Sequence, residues 1–368
     1  VTAEPFGVYL HVPFCAHKCD FCAFATYEGR DQLIGPYVEA CRTEIARAVA
    51  AGDLSVATSV YVGGGTPSRL CAADLCALIG AVPVAEHAEV TVECHPEDVH
   101  AEFLAELSAG GVTRLSLGVE STQAHVLAAL DRRGSPDTVL GAAALVAAAG
   151  FDSWSVDLMF GAAGESDTDW ERTLDDVLGL PSPPPHLSTY GLTVEPGTPL
   201  AADAARHPDP DVLARRYEMA AARLASAGYA WEEISNWAQP GHQCRHNHLY
   251  WEGSDYRGIG SGAHSHRAGH RWWNVRTPQR YVALIAAGER VVAGEERLTA
   301  AERRAEALSL SLRTPAGVPD AALPDAPELV GLVERRAGRA VLTVQGRLVA
   351  DELTLRLEVP AEGPDILR

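Results

Sequence analysis

The chain has 368 residues, 47% hydrophobic and 21% charged, with a formal net charge of −19. That is apolar material for one large core and a smaller one, and an acidic balance with no basic stripe argues against a nucleic-acid partner. No stretch reaches the length of a membrane span, the longest alanine-rich run being 142–149. No charged start followed by an apolar run marks a secretory signal.

In chain order, β-branched or aromatic runs predict strands at Val8–Val12, Ser59–Val62, Val90–Glu93, Arg114–Leu117, Ser155–Phe160 and Leu187–Val194. Helical patterns lie between and after them, at Tyr37–Ala51, Ala72–Val82, Ala101–Ala109, Ala124–Leu130, Pro136–Ala149, Asp167–Leu178 and Val212–Ala227. Regular alternation predicts right-handed crossovers and a parallel sheet. The fold class is therefore α/β, a partial (β/α)6 barrel of the TIM-like kind, with its chemistry at the carboxyl ends of the strands. Those ends are polar or glycine-rich. The first runs into a cysteine cluster, and the second ends in Gly63-Gly64-Gly65-Thr66-Pro67. The third ends in Glu93-Cys94-His95-Pro96, and the fourth in Gly118-Val119-Glu120-Ser121. Asp157 and Gly161 end the fifth, and Tyr190 and Glu195 stand near the end of the sixth.

After residue 235 the character changes, which suggests domains at 1–235 and 236–368. Aromatics and histidines crowd into Trp237–Trp273, a helix is expected over Thr299–Leu312, and a Pro-rich connector follows at Pro315–Pro327. A helix–strand–helix pattern to about Leu357, with Ala340–Val344 and Gly346–Leu348, predicts a smaller C-terminal α+β unit of winged-helix type. In so acidic a chain it reads as a packing or docking module.

Eight cysteines occur, at 15, 19, 22, 41, 71, 76, 94 and 244. So long a chain with so few is no disulfide scaffold, and a reducing cytoplasm is the expected location. Cys41, Cys71 and Cys76 fall in helical patterns, where cysteine acts as a small hydrophobe. Cys15-x3-Cys19-x2-Cys22 is different. Thiolates suit soft metals and iron–sulfur clusters, an ordinary cluster takes four, and three in one loop leave one iron open to chelate a ligand. Zinc is the rival, because His17 in the loop and His11 on the strand could complete a mononuclear site. The glycines at 63–65 are not a phosphate loop, since no Gly-Lys-Ser/Thr follows.

The cysteine signature after Tyr9-Leu10-His11-Val12-Pro13-Phe14 resembles the radical S-adenosylmethionine (SAM) superfamily, in the version of its HemN/HemW-like group. The same resemblance runs through Gly63–Pro67, Ser116–Ser121, Asp157–Gly161, Val194–Thr198, Ile234–Ala238, Cys244–Trp251 and Gly258–Ser265. It implies a [4Fe–4S] cluster on Cys15, Cys19 and Cys22, with SAM on the open iron. By the same resemblance Tyr9 and Phe21 stand near the cofactor, and Gly64, Gly65 and Thr66 let backbone approach its methionine end. Glu93 accepts from its ammonium, Arg132 pairs with its carboxylate, and Asp157 holds its ribose. Glu120 stands where glutamine is usual, and Ser261 and Ala263 fall in a further SAM-binding segment. The implied chemistry is reductive cleavage of SAM, fed by a one-electron donor of flavodoxin or ferredoxin type, with the protein supplying orientation and exclusion of water.

Three uses of that chemistry remain open. Ala23-Phe24-Ala25 carries no extra cysteine, which places coproporphyrinogen decarboxylation last. His246-Asn247-x-x-Tyr250-Trp251 matches the motif associated with haem binding in the group's haem chaperones, which makes His246, Tyr250 and Trp251 candidates for haem or substrate. The plainer reading of that motif is a packed aromatic–histidine cluster. Departures from the family pattern at Ala23–Ala25, Glu93–Pro96 and Glu120 gather around the expected cavity. On that ground the sequence is read as a class C methyltransferase or cyclopropanase, acting on a small molecule with two SAM. Cys94, His95 and Glu120 are then the candidate catalytic residues.

Overall fold

The computed structural model describes residues 4–323 and 327–356. Leu357, at the end of the expected closing helix, and residues 324–326 of the connector lie outside the described residues.

The alternation of apolar and polar residues becomes two rows on each strand. On β1 (Phe6–Val12), Val8, Leu10 and Val12 are buried in the main core, while Tyr9 and His11 share the other row. The pattern repeats on β2 (Ala57–Gly64), β3 (Val84–Cys94), β4 (Arg114–Glu120), β5 (Ser153–Phe160) and β6 (His186–Gly191). Val60, Val92, Leu115, Val156 and Leu187 face the core. The inner rows carry Ser59 and Tyr61, Glu89 and Glu93, Arg114 and Ser116, Ser155 and Asp157, and His186, Ser188 and Tyr190. A TIM barrel usually fills its interior with branched apolar side chains. This one lines it with polar groups, and a cavity remains.

Helices α1 (Ile34–Ala50), α2 (Ala72–Ile79), α3 (Ala101–Ala109), α4 (Ala124–Ala129), α5 (Pro136–Ala148), α6 (Asp167–Leu178) and α7 (Pro210–Ser226) lie between and after these strands, close to their expected positions. Their starts are set locally. Ser135 caps α5 ahead of Pro136, and Ser166 with Asp169 forms a capping box on α6. The last barrel strand stops at Gly191, three residues short of the expected Val194.

The sheet continues past residue 235. Strands β7 (Ala230–Glu233) and β8 (Asn236–Ala238) extend one edge, β8 antiparallel to β6 and β7 antiparallel to β8. Helix α8 (Arg245–Trp251) comes next, then β9 (Asp255–Ile259), which adds a further parallel strand beside β1. Strands β10 (His264–Arg267) and β11 (His270–Asn274), helix α9 (Pro278–Ala286) and β12 (Val292–Arg297) follow, the strands pairing antiparallel beyond β9. The result is a 12-stranded sheet in the order β12-β11-β10-β9-β1-β2-β3-β4-β5-β6-β8-β7. Glu44 on α1 pins the added edge. It is buried and accepts from Arg257, Gly260 N–H, Asn274 and Tyr281.

A second small core gathers Leu308, Leu312, Val318, Leu329, Leu342 and Leu353. It lies among α10 (Ala300–Leu312), α11 (Val344–Leu348), α12 (Ala350–Arg356) and a sheet of β13 (Val318–Pro319), β15 (Arg339–Leu342) and β14 (Val333–Arg336), in that order. The Arg347 guanidinium lies 3.6 Å from the Trp231 ring centroid and ties this unit to the barrel side. Among the described residues no helix is long and apolar enough to cross a membrane.

Candidate functional site

The cysteine loop leaves β1 and is closed by a two-residue bridge that pairs Phe14 with Tyr27 and Cys15 with Glu28. A turn from Cys22 N–H to Cys19 C=O at 3.1 Å and Lys18 Nζ donating to the Phe24 and Thr26 carbonyls fix its interior. Cys15, Cys19 and Cys22 line the mouth of a cavity of about 470 Å³ that descends into the barrel. All eight cysteines are free thiols. Burial raises the Cys15 thiol and pushes Cys19 up to about 11, with Arg132 opposing at Cys19. Loading metal there must therefore release protons.

Neither histidine of the zinc alternative is free for a metal. His17 Nε2 lies 2.7 Å from Asp131, while His11 Nε2 meets the Ala25 carbonyl at 3.1 Å and its Nδ1 meets Tyr9 Oη at 3.3 Å. Among the described residues, no three His, Cys, Asp or Glu side chains gather as a single ion would need. Cys15, Cys19 and Cys22 around one cavity mouth suit a cluster with an open corner. Gly65 seats the loop: a Cβ there would lie 2.9 Å from Cys15 Sγ and 2.8 Å from Phe14 O. Its crowding comes from the thiolate loop itself.

Below the mouth, three carboxyls face the cavity. Glu93 accepts from Tyr61 Oη at 2.9 Å and from Gly64 N–H at 3.1 Å, and burial raises its pKa against those two bonds. Glu120 accepts from Tyr190 Oη at 2.8 Å and sits 3.6 Å from Arg132. Its φ of 63° coincides with a register shift between Gly118 and Glu120, a strained backbone that aims the carboxylate inward. Asp157 accepts from Ser116 Oγ at 3.2 Å, and burial with Glu120 and Glu93 nearby pushes it up to about 8. Arg132 donates to the Gly118 carbonyl at 2.7 Å and reaches Cys19 Sγ at 4.0 Å, so it bridges carboxyl cluster and thiol loop.

This charge pattern tests whether SAM fits. Burial, with Glu120 and Glu93 nearby, holds Asp157 towards its protonated form. A ligand with a sulfonium and an ammonium would favour the charged form of these buried carboxyls, and Arg132 is placed to meet its carboxylate.

The structure gathers Phe21, Gly64, Gly65, Thr66, Glu93, Glu120, Arg132 and Asp157 with the thiols around this cavity. Tyr9 lies behind it, stacked on Tyr61 at 6.3 Å. Ser261 and Ala263 are buried outside its lining, where Ser261 N–H donates to Tyr37 Oη at 2.8 Å. Cys94 and His95 separate. Cys94 borders the cavity, but it sits on the row opposite Glu93 and its buried side chain packs in the main core. His95 faces the cavity, held neutral by burial and by Arg132 at a pKa of about 4, with its Nδ1 accepting from Glu97 N–H.

His246, Tyr250 and Trp251 lie on α8, at the opposite end of the barrel from the thiols. The first amides of α8 meet Glu89, with Arg245 N–H and His246 N–H donating at 3.1 and 3.0 Å. Cys244 and Asn247 line the cavity's lower end, so α8 forms its floor. His246 is 1% exposed, and both ring nitrogens are engaged: Nδ1 with Ser59 Oγ at 2.9 Å and Nε2 with Tyr250 Oη at 3.0 Å.

Tyr190, expected at the end of the sixth strand, lines the cavity, and Tyr61, Arg114, His186 and Asn247 join it beyond the candidates named from sequence. His186 Nε2 comes within 3.0 Å of Glu232 but out of line for a hydrogen bond, so both His186 nitrogens are buried without one. A polar residue every second position along each apolar strand was the available signal.

Comparison with known proteins agrees with this geometry. Residues 9–177 match the radical SAM superfamily model. The haem chaperone HemW of Mycobacterium tuberculosis is 43% identical over 376 residues, spanning 97% of this chain and 96% of the relative. HemW of Bacillus subtilis is 31% identical over 94% of this chain and 97% of its own length. Coproporphyrinogen III oxidase (HemN) of Escherichia coli superposes with a TM-score of 0.82 at 22% identity, over 95% of this chain and 89% of that one, a likeness of fold. A partial barrel with three thiols over its carboxyl mouth defines a class of cluster proteins that handle SAM. The chain belongs to the radical SAM superfamily, in its HemW/HemN group.

Proposed function

We propose that this protein binds haem and passes it on, as a radical SAM protein of the haem-chaperone kind. The end-to-end identity with a protein named a haem chaperone carries this reading: 43%, with almost no residue of either chain left over. It replaces the expectation of methyl or methylene transfer. That expectation rested on departures at Ala23–Ala25, Glu93–Pro96 and Glu120. Of these, Cys94 borders the cavity with its side chain buried in the main core, and Glu120 pairs with Arg132 and Tyr190.

The cluster and SAM, when bound, supply one-electron reductive chemistry. The rest belongs to the chain. Cys15, Cys19 and Cys22 hold the cluster, and Arg132 offers its guanidinium to the SAM carboxylate. Glu93, fixed by Tyr61 and Gly64, accepts from the ammonium. Asp157 accepts from the ribose hydroxyls once it has given up its proton. The polar inner rows orient the cofactor, and α8 closes the barrel below it. One SAM accounts for the carboxyls and arginine described.

Two measurements test the reading. Haem titration of anaerobically reconstituted protein should give a saturable Soret band of fixed stoichiometry. Incubation with SAM and dithionite should yield at most slow 5′-deoxyadenosine and no S-adenosylhomocysteine. A methylated small-molecule product with no saturable haem band would overturn it.

A further inference from the structure

The His246-Asn247-x-x-Tyr250-Trp251 helix is the barrel floor, and its histidine stands directly beneath a residue of the cofactor site. The His246 imidazole stacks on the Tyr61 ring at 5.2 Å, with planes 30° apart. Tyr61 stacks in turn on Tyr9 at 6.3 Å. Held between these rings, Tyr61 aims its hydroxyl at Glu93 Oε1, 2.9 Å away. The imidazole is itself fixed on both sides, by Ser59 of β2 and by Tyr250 one turn along α8. Position 7 shows how tight this floor is. A Cβ on Gly7 would lie 2.8 Å from Leu249 Cδ1 and 3.2 Å from His246 Cε1.

An axial ligand to haem iron needs a free ring nitrogen and open space on one side for the porphyrin plane. His246 offers neither: it is 1% exposed with both nitrogens engaged, and Tyr61 covers one face. Freeing it would uncouple Ser59, Tyr250 and the ring stack together and leave buried polar groups without partners.

We infer that His246 is a positioning residue for the SAM site. It braces Tyr61, Tyr61 braces Glu93, and Glu93 grips the SAM ammonium, so the motif sets affinity for SAM and leaves haem iron to another ligand. This rests on the proposal that Glu93 contacts SAM. The barrel floor and the cofactor site, at opposite ends of the cavity, are thereby one mechanical unit.

The test compares His246→Ala, His246→Gln, Tyr61→Phe and the His246→Ala/Tyr61→Phe double variant with the parent, all anaerobically reconstituted. Iron content, the dissociation constant for SAM by equilibrium dialysis, and haem stoichiometry by Soret titration are read on each. One charge-assisted hydrogen bond governs a change of about tenfold in affinity. His246→Ala and Tyr61→Phe should each weaken SAM binding by about tenfold, with iron and haem content unchanged. The double variant should weaken it no further than either single one, because both act through one bond. His246→Gln, whose amide can meet Ser59 and Tyr250, should recover most of the affinity. Unchanged SAM affinity with loss of the Soret band in His246→Ala overturns the inference and makes the histidine a haem ligand. Additive losses in the double variant overturn the relay through Tyr61. If His246→Ala fails to fold, Tyr61→Phe and His246→Gln still decide it. Glu93→Gln separates the premise from the inference: if it leaves SAM affinity unchanged, the assignment of Glu93 falls first.

Discussion

Asp157 should make ligand binding depend on pH in a way that can be worked out beforehand. Its carboxyl, ordinarily near 3.8, is raised to about 8 by burial and by Glu120 and Glu93. To accept from both ribose hydroxyls, one on each oxygen, it must be ionised. At pH 7, about one unit below its pKa, only about a tenth of the sites are ready, and apparent affinity falls by that fraction. Between pH 7 and pH 9 the dissociation constant for a nucleoside should tighten about tenfold and then level off. SAM is the wrong probe, because its own amino group titrates near that range. 5′-Methylthioadenosine has no amino acid part, and equilibrium dialysis against it isolates Asp157. Asp157→Asn should give a flat profile. The sign for stability is opposite. A carboxyl raised in the folded state costs nothing below its unfolded pKa. The cost grows as pH climbs from about 4 towards 8, by about 1.4 kcal/mol per unit at most. Asp157→Asn should therefore raise the melting temperature of the ligand-free protein at pH 8 while abolishing the pH-linked affinity. Affinity that stays level or loosens between pH 7 and pH 9 in the parent would refute this account of the cavity.

Replacing any one of Cys15, Cys19 and Cys22 with alanine should abolish the four-iron centre after reconstitution, read as iron and sulfide content. Cys41→Ala and Cys76→Ala should retain it. Arg132→Gln leaves Glu120 buried beside Asp157 with no close cation, at a cost of about 3 kcal/mol in urea unfolding. Adding Glu120→Gln should restore most of that stability, and recovery of none would mean the pair does not interact. Arg216 and Glu165, 4% and 0% exposed and 2.7 Å apart, form a buried pair away from the cavity. Arg216→Met should destabilise by about 3–5 kcal/mol with cluster content unaltered. Loss of iron in that variant would show that the pair supports the site.

Much of the fold was legible because each barrel strand writes two messages in one run of residues. Val8, Leu10 and Val12 announce a buried face, and the hydrophilic partners between them stand on the other. The helices expected from Pro136 and Asp167 start where they were placed, because Ser135 and the Ser166–Asp169 capping box set those starts locally. The thiol loop and the carboxyls at strand ends could be read for the same reason, since topology alone carries every carboxyl end to one mouth. What could not be read depends on contacts across long separations. Asp255–Ile259 looks like an ordinary short strand, and nothing local says that its neighbour is β1. Cys94 adjoins Glu93 in sequence and was grouped with it, but adjacent residues on a strand face opposite ways. Tyr61 escaped notice because its importance lies in Glu93, 32 positions on, and in His246, far later.

The placing of β9 beside β1 has a consequence for how the molecule comes into being. Phe6 aligns with Asp255 and Leu10 with Ile259, so β1 waits for a strand much later in the chain before its outer side is satisfied. Until then its amide and carbonyl groups stand as an open template for any stray extended segment, with the cysteine loop a few residues downstream. Iron delivered to a nascent chain would meet an anchor strand paired on one side only. A form cut short before residue 255 should therefore keep that edge open and aggregate, read as loss of protein from the supernatant.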